Sequence, residues 1–192
     1  SIRMKGVLLI NLGSPDTTET KDVKRYLGEF LMDERVIDVA YWKRYLLIKG
    51  IILQIRPKKS GAAYKKIWWD EGSPLVVISE RFSKKVTKKV EVPVSLAMRY
   101  GSMSMEKGFK ELTEQGVDEI LLVPLYPHYA MSSYETVTVK AEQIVAEQYP
   151  NVTMDILPTF YDKPEYIRAM SDNIKNHLDG FEYDHVLFSY HG

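Results

Sequence analysis

Val7-Leu8-Leu9-Ile10 and Ile120-Leu121-Leu122-Val123 are apolar at every successive position. A strand with one wet face alternates apolar and polar residues. A run without alternation reads as a strand buried on both faces, with helices on both sides of a parallel sheet. Working outward from these two, the full runs are Val7–Leu12 and Ile120–Leu125, and others occur at Val92–Met98, Thr153–Leu157 and Val186–Phe188. Longer amphipathic stretches lie between them and predict helices over residues 19–33, 41–55, 74–90, 104–115, 133–149 and 164–179. Ser73-Pro74 reads as an N-cap followed by proline at the first helical position. Ser132-Ser133-Tyr134-Glu135 reads as a capping box. Gly116 and Gly180 stand where helices should stop. The alternation predicts an α/β fold, a doubly wound four-stranded parallel sheet with one additional strand at the end of the chain.

Composition narrows the function classes. Apolar residues make up 45% of the 192, enough for a core, so a disordered tail is excluded. There is no cysteine, which excludes a disulfide framework, a thiolate zinc site and a cysteine-ligated cluster in this stretch. No apolar run is long enough to predict a membrane-spanning helix. The 26 basic and 26 acidic side chains cancel, so no global attraction to nucleic acid is expected.

The cancellation is local, however. From Val39 to Trp69 the chain carries Lys43, Arg44, Lys49, Arg56, Lys58, Lys59, Lys65 and Lys66 and no Asp or Glu. The same segment holds Tyr41, Trp42, Tyr45, Leu46, Leu47, Ile48, Ile51, Ile52, Leu53 and Ile55. A basic helix with a broad apolar face suits a membrane surface or the rim of a site for a hydrophobic ligand, with peripheral membrane contact expected through residues 41–59. A helix buried on one face with solvated lysines opposite is the plainer alternative. The connection from the first strand to the second exceeds one crossover helix, so residues 36–72 read as an insertion.

Ligands of open parallel sheets bind beyond the carboxyl ends of the strands. Those ends carry Leu12-Gly13-Ser14-Pro15, Arg99-Tyr100-Gly101, Tyr126-Pro127-His128-Tyr129, Thr159-Phe160-Tyr161-Asp162 and His191-Gly192. Neither GxGxxG nor GxxxxGK[ST] is present, so a nucleotide is disfavoured and a flat aromatic ligand fits better. His191 leads the candidates, because imidazole can bind a borderline metal ion or accept a proton near neutral pH. A backbone-satisfied histidine is its bland alternative, and His128, His177 and His185 default to packing or surface roles. No HxxxH or HxH pair exists. Arg99 reads as an anion anchor or a structural ion-pair partner. Val7–Gly13 also parallels Val186–Gly192 at a constant offset, which makes Leu12 and His191 equivalent strand ends if a second domain opens there.

Taken in order, Gly6–Pro15, Gly72-Ser73-Pro74-Leu75, Met98-Arg99-Tyr100-Gly101, Pro124–Tyr129 and Leu187–Gly192 resemble the ferrochelatases. The resemblance implies two similar flavodoxin-like domains around a porphyrin cleft. Residues 1–162 would be the first, with residues 36–72 forming the porphyrin lip. Residues 163–192 would be the crossover helix and first strand of the second. It implies insertion of ferrous iron into a porphyrin to make haem, with release of two protons. No cofactor is required, iron being substrate, and the partners are porphyrin and ferrous iron.

By that resemblance His191 matches the active-site histidine, as metal ligand, proton acceptor or both. Its usual glutamate partner belongs to the C-terminal half, so residues 1–192 alone are expected to have little or no activity. Arg99, Tyr100 and Tyr126 match pocket motifs. Arg56, Tyr64 and Ser73 match positions that hold porphyrin propionates. Leu12 stands where coproporphyrin-metallating members carry tyrosine, which favours protoporphyrin IX. A cytoplasmic enzyme, peripheral at the inner membrane, is implied. The rivals are a coproporphyrin or other tetrapyrrole chelatase, and a non-catalytic module that binds a tetrapyrrole or membrane through residues 41–69.

Overall fold

The computed structural model describes residues 3–125, 131–157, 174–176 and 178. Four strands, β1 (Lys5–Gly13), β2 (Val94–Tyr100), β3 (Glu119–Pro124) and β4 (Thr153–Ile156), form one all-parallel sheet in the order β2-β1-β3-β4. The expected doubly wound α/β class is therefore the observed one. The register sets Val7 beside Leu121 and Leu9 beside Val123, and Leu121 beside Asp155. The order reverses between β1 and β3, which marks the carboxyl ends of these strands as the binding edge of such a sheet. The fifth run, Val186–Phe188, lies outside the described residues, as do Gly180, His128, His177 and His185.

The unbroken apolar runs behave as their pattern demands. All six residues of β3 are buried, as are Gly6–Ile10 of β1. On one face, Val7, Leu9, Leu121 and Val123 share a core with Phe82 and Val86 of helix α4 (Pro74–Lys89) and with Val90 just beyond its end. The four-residue spacing of those α4 side chains keeps them in one stripe. Ile174 and Leu178 join the same core, and Lys5 Nζ donates to the Leu178 carbonyl (2.8 Å). Against the opposite face, α5 (Met105–Glu114) runs so close that a Cβ on Gly108 would stand 2.8 Å from Leu8 Cδ1.

Local signals set the helix ends. Pro74 opens α4, and the Ser73 carbonyl accepts the Val77 N–H (2.9 Å). Ser104 caps α5, its hydroxyl accepting the Lys107 N–H (3.3 Å). Gly116, at φ +89°, ends α5. Its N–H bonds to the Thr113 carbonyl and the Val117 N–H to the Leu112 carbonyl, the paired bonds of a Schellman motif. The expected capping box at Ser132 does not hold: α6 (Met131–Gln148) already includes Ser132, so that residue is inside the helix. The residues that would cap α6 lie outside the described set.

The described chain forms two compact units. One holds the described residues of Ser1–Asn11, Ser79–Arg99 and Met103–Gly192, the other Leu12–Ile78 and Tyr100–Ser102. The second unit takes in more than residues 36–72, beginning as β1 ends and including helix α1 (Thr20–Leu31).

Its principal helix corrects the expectation of a helix over 41–55. Helix α2 (Tyr41–Leu47) runs through a π-helical segment, Ile48–Ile52, directly into α3 (Leu53–Ile67). Pro57 lies inside α3 without ending it. Proline lacks an N–H and normally breaks a helix interior. Here Pro57 is buried on a seam made by Arg44, Ile48, Leu53, Pro57 and Gly61. The steps along that seam are four residues except across the π segment, where one is five. The Leu53 N–H reaches back to the Ile48 carbonyl, the i→i+5 bond that accommodates the extra residue. Seam burial thus overrides the local proline signal. Gly61 fits where a Cβ would meet the Thr18 carbonyl oxygen at 2.9 Å.

Candidate functional site

Within the second unit, the end of β1 is tied to α1. Leu12 is half-buried, and the carbonyl of the next residue, Gly13, accepts the Tyr26 hydroxyl (3.2 Å). The Tyr26 ring stacks on Phe30 one turn later, with centroids 6.2 Å apart. Phe30 in turn meets Tyr100 edge-on at 5.2 Å. Tyr100 is 1% exposed, and its hydroxyl donates to Asp33 Oδ2 (2.6 Å). Glu29 accepts the Gly101 N–H (3.1 Å), so α1 fixes the backbone after β2 as well.

Burial pushes the Tyr26 hydroxyl far above the ordinary tyrosine value, with Tyr64, Tyr100 and Glu29 adding to the effect. Burial also pushes up Tyr64. Both phenols therefore remain neutral hydrogen-bond donors through the physiological range. Tyr26 thus links the residue after Leu12 to Phe30, and through Phe30 to Tyr100. Sequence reading restricted to strand ends misses Tyr26, Phe30 and Asp33. Tyr26 and Phe30 share the i, i+4 spacing that puts them on one stripe of α1, and Asp33 follows two residues after that helix ends.

Arg56 and Tyr64 both lie on α3, Arg56 exposed and Tyr64 half-buried. Eight residues along a helix separate them by about 12 Å along the axis and about 80° around it. The Tyr64 ring meets Trp68 edge-on at 6.0 Å. Trp69 and Gly72 then exchange two backbone hydrogen bonds (both 3.0 Å), closing the turn that delivers the buried Ser73 to the start of α4. The second unit thereby holds Leu12, Arg56, Tyr64, Ser73 and Tyr100.

The apolar residues of this helix divide: Ile48 and Leu53 lie on the buried seam, as the plainer reading expects, while many others face solvent. Tyr41, Trp42, Tyr45, Leu46, Ile51 and Ile55 are between 47% and 66% exposed. Lys43, Lys49, Lys58 and Lys59 are exposed too, and Lys43 lies over the Trp42 ring at 5.4 Å. Arg44 behaves differently: it is buried, its Nη1 donating to the Val39 carbonyl (2.9 Å) and its guanidinium lying over Tyr41. No helix among the described residues is long and apolar enough to cross a membrane.

Arg99 belongs to the first unit. Its Nε donates to both Thr136 Oγ1 (3.1 Å) and the Thr136 carbonyl (3.2 Å) on α6. Nearby, Lys140 pairs with Glu106 at 2.8 Å. Burial pushes the Glu106 carboxyl up. The hydrogen bond and charge of Lys140, its own backbone N–H and the charge of Arg99 outweigh that and hold it below the ordinary glutamate value. Tyr126 and His191 lie outside the described residues.

A cleft after β1, lined by Ser14, Asp16, Arg25, Tyr26, Glu29 and Ser102 among others, has a volume of 140 Å³. Sites for drug-sized ligands run to about 300–1,000 Å³, so this cleft does not hold a large macrocycle. Among the described residues no three His, Cys, Asp or Glu are grouped to hold a metal ion.

The ferrochelatase family profile matches residues 4–192. Ferrochelatase of Pseudomonas syringae pv. tomato is 45% identical over 187 residues, which cover 97% of this chain and 54% of the relative. The same coverage applies to ferrochelatase of Pseudomonas fluorescens biotype C at 46% identity. Ferrochelatase of Ectopseudomonas mendocina is 47% identical over 188 residues. The chain spans about half the length of these curated relatives.

Proposed function

Because this chain belongs to the ferrochelatase family, we propose that the full-length protein inserts ferrous iron into protoporphyrin IX to form protohaem. The observation that carries the reading is the family match across residues 4–192, with the strand-end motifs in order. In the reaction two pyrrole N–H protons leave as iron takes the four ring nitrogens. His191 is the group on this chain suited to accept a proton or to hand over the metal ion.

Arg56, Tyr64 and Ser73 supply a guanidinium and two hydroxyls for the propionates, and all three belong to one unit. That Tyr64 stays protonated supports its use as a donor to a carboxylate. Tyr26 holds the turn beside Leu12, and Tyr100 is held by Asp33; both keep the lining in place.

The protoporphyrin preference rests on Leu12, which offers no metal ligand, and on the exposed apolar residues of α2 and the π segment. Coproporphyrin brings two further carboxylates, and setting an ionised carboxylate against apolar surface is unfavourable. The full-length enzyme is expected to show a kcat/KM for iron insertion at least about tenfold higher with protoporphyrin IX than with coproporphyrin III. Porphyrin absorbance measures both rates. Equal rates, or a preference for coproporphyrin, would reject the assignment of substrate; no insertion into either would reject the chelatase reading itself.

The same solvent-facing aromatics, flanked by lysines, favour a second use of this face as peripheral contact with an anionic membrane, the enzyme being cytoplasmic. The protein should cosediment with vesicles containing anionic lipid, less with neutral ones, and lose binding when Lys43, Lys49, Lys58 and Lys59 are changed to glutamine. Binding that survives those changes would remove the electrostatic part of the proposal.

A further inference from the structure

We infer that Thr136 is the positioning residue for Arg99, fixing the plane of its guanidinium at the carboxyl end of β2. The inference rests on the reading of Arg99 as part of the chelatase site. An arginine side chain is long and rotatable, but its Nε–H lies in the guanidinium plane. A bond at Nε therefore orients the whole fork, whereas a bond at one terminal nitrogen leaves the fork free to swing.

Here the Nε–H is shared between two oxygens of one residue, Thr136 Oγ1 at 3.1 Å and its carbonyl at 3.2 Å. Two acceptors on one rigid helical residue define a direction, not only a distance. The carbonyl can serve both its helix and Arg99, because it has two lone pairs. Thr87, Thr113 and Thr138 turn their hydroxyls onto carbonyls of their own helices. Thr136 accepts at its hydroxyl oxygen from a residue 37 positions away in the chain.

Thr136 is 3% exposed, so water competes poorly for this bond. The charge partners nearby are consistent with a held guanidinium. Glu106 is within the electrostatic reach of Arg99, yet it is paired with Lys140 at 2.8 Å. Its carboxylate is thus engaged by the lysine on α6, four residues after Thr136, while Thr136 takes the Arg99 Nε.

The test is a double-mutant cycle in the full-length enzyme. Thr136→Val is close to isosteric and removes the hydroxyl alone, leaving the carbonyl acceptor. It should lower kcat/KM for iron insertion about tenfold, the ordinary effect of losing a hydrogen bond to a charged group. Thr136→Ser, which restores the hydroxyl, should return the rate to within about twofold of wild type. In an Arg99→Ala background, Thr136→Val should add less than about a twofold effect, because there is no guanidinium left to position. Wild-type turnover in Thr136→Val overturns the inference, as does an equal loss in both backgrounds, which would mark a general packing role. Wild-type turnover in Arg99→Ala would overturn it differently, by removing Arg99 from the site. Unfolding midpoints of the four variants accompany the rates, and a loss of turnover that follows the midpoint in both backgrounds also counts against positioning.

Discussion

Full-length protein carrying His191→Ala is expected to lose iron insertion by about 10²–10⁴-fold, the usual contribution of a positioned acid–base group, while still binding porphyrin. Porphyrin metallation cannot proceed until two ring nitrogens give up their protons. An imidazole with a pKa near neutrality is matched to that transfer, and among this chain's histidines His191 stands in the family motif. Porphyrin binding should survive because the proposed propionate donors are other side chains. Arg56 and Tyr64 are on α3, and Ser73 opens α4. Two measurements on the same preparation separate the roles: porphyrin fluorescence quenching for binding and absorbance change for metal insertion. Turnover within about tenfold of wild type would remove His191 from the centre of the reaction. Loss of porphyrin binding would make it a binding residue instead.

Phe109→Ala should cost about 3–5 kcal/mol of stability, the range for truncating a buried aromatic. The cost depends on how far the surroundings can collapse into the space. Phe109 is fully buried, and its ring stacks on Tyr149 at 6.4 Å. The neighbouring Gly108 already holds α5 so near the sheet that a Cβ there would stand 3.0 Å from Ala97 Cβ. With the backbone already that close to the sheet, α5 has little room to move inward and fill the void. Denaturant unfolding would read the loss, and a change below about 1 kcal/mol would mean that this layer repacks freely.

How much was legible beforehand depended on the kind of signal. β3 and the middle of β1 could be read because all of β3 and Gly6–Ile10 of β1 are buried, and burial on both faces leaves an uninterrupted apolar run. The α2–α3 helix could not be read to its end. Pro57 argues for a stop, and a seam with one five-residue step fits no constant helical period. What decides the matter is tertiary, the burial of Ile48, Leu53, Pro57 and Gly61.

The site divides in a similar way. Leu12, Arg99 and Tyr100 were visible as residues at strand ends. The groups that hold them were not, because Tyr26, Asp33 and Thr136 look like ordinary helix or helix-end residues until their partners are known. Tyr100 shows the limit of type-based reading. Its place at a strand end allows packing or ligand contact alike, and only the structure shows the burial and the hydroxyl on a carboxylate.

The π segment gives the helix a spare residue. Helical phase is continuous from Arg44 to Ile48 and again from Leu53 to Gly61, and the surplus is absorbed between them. Gly50 sits in that surplus with open space where its Cβ would be. A one-residue deletion at this point would restore a uniform α-helix with the same side chains facing inward. The same deletion two turns later would rotate everything beyond it by about 100°, carrying Tyr64 off its side of the helix. The gene can therefore shorten this helix by a codon at one place and keep Leu53, Pro57 and Gly61 on the seam that Arg44 and Ile48 begin.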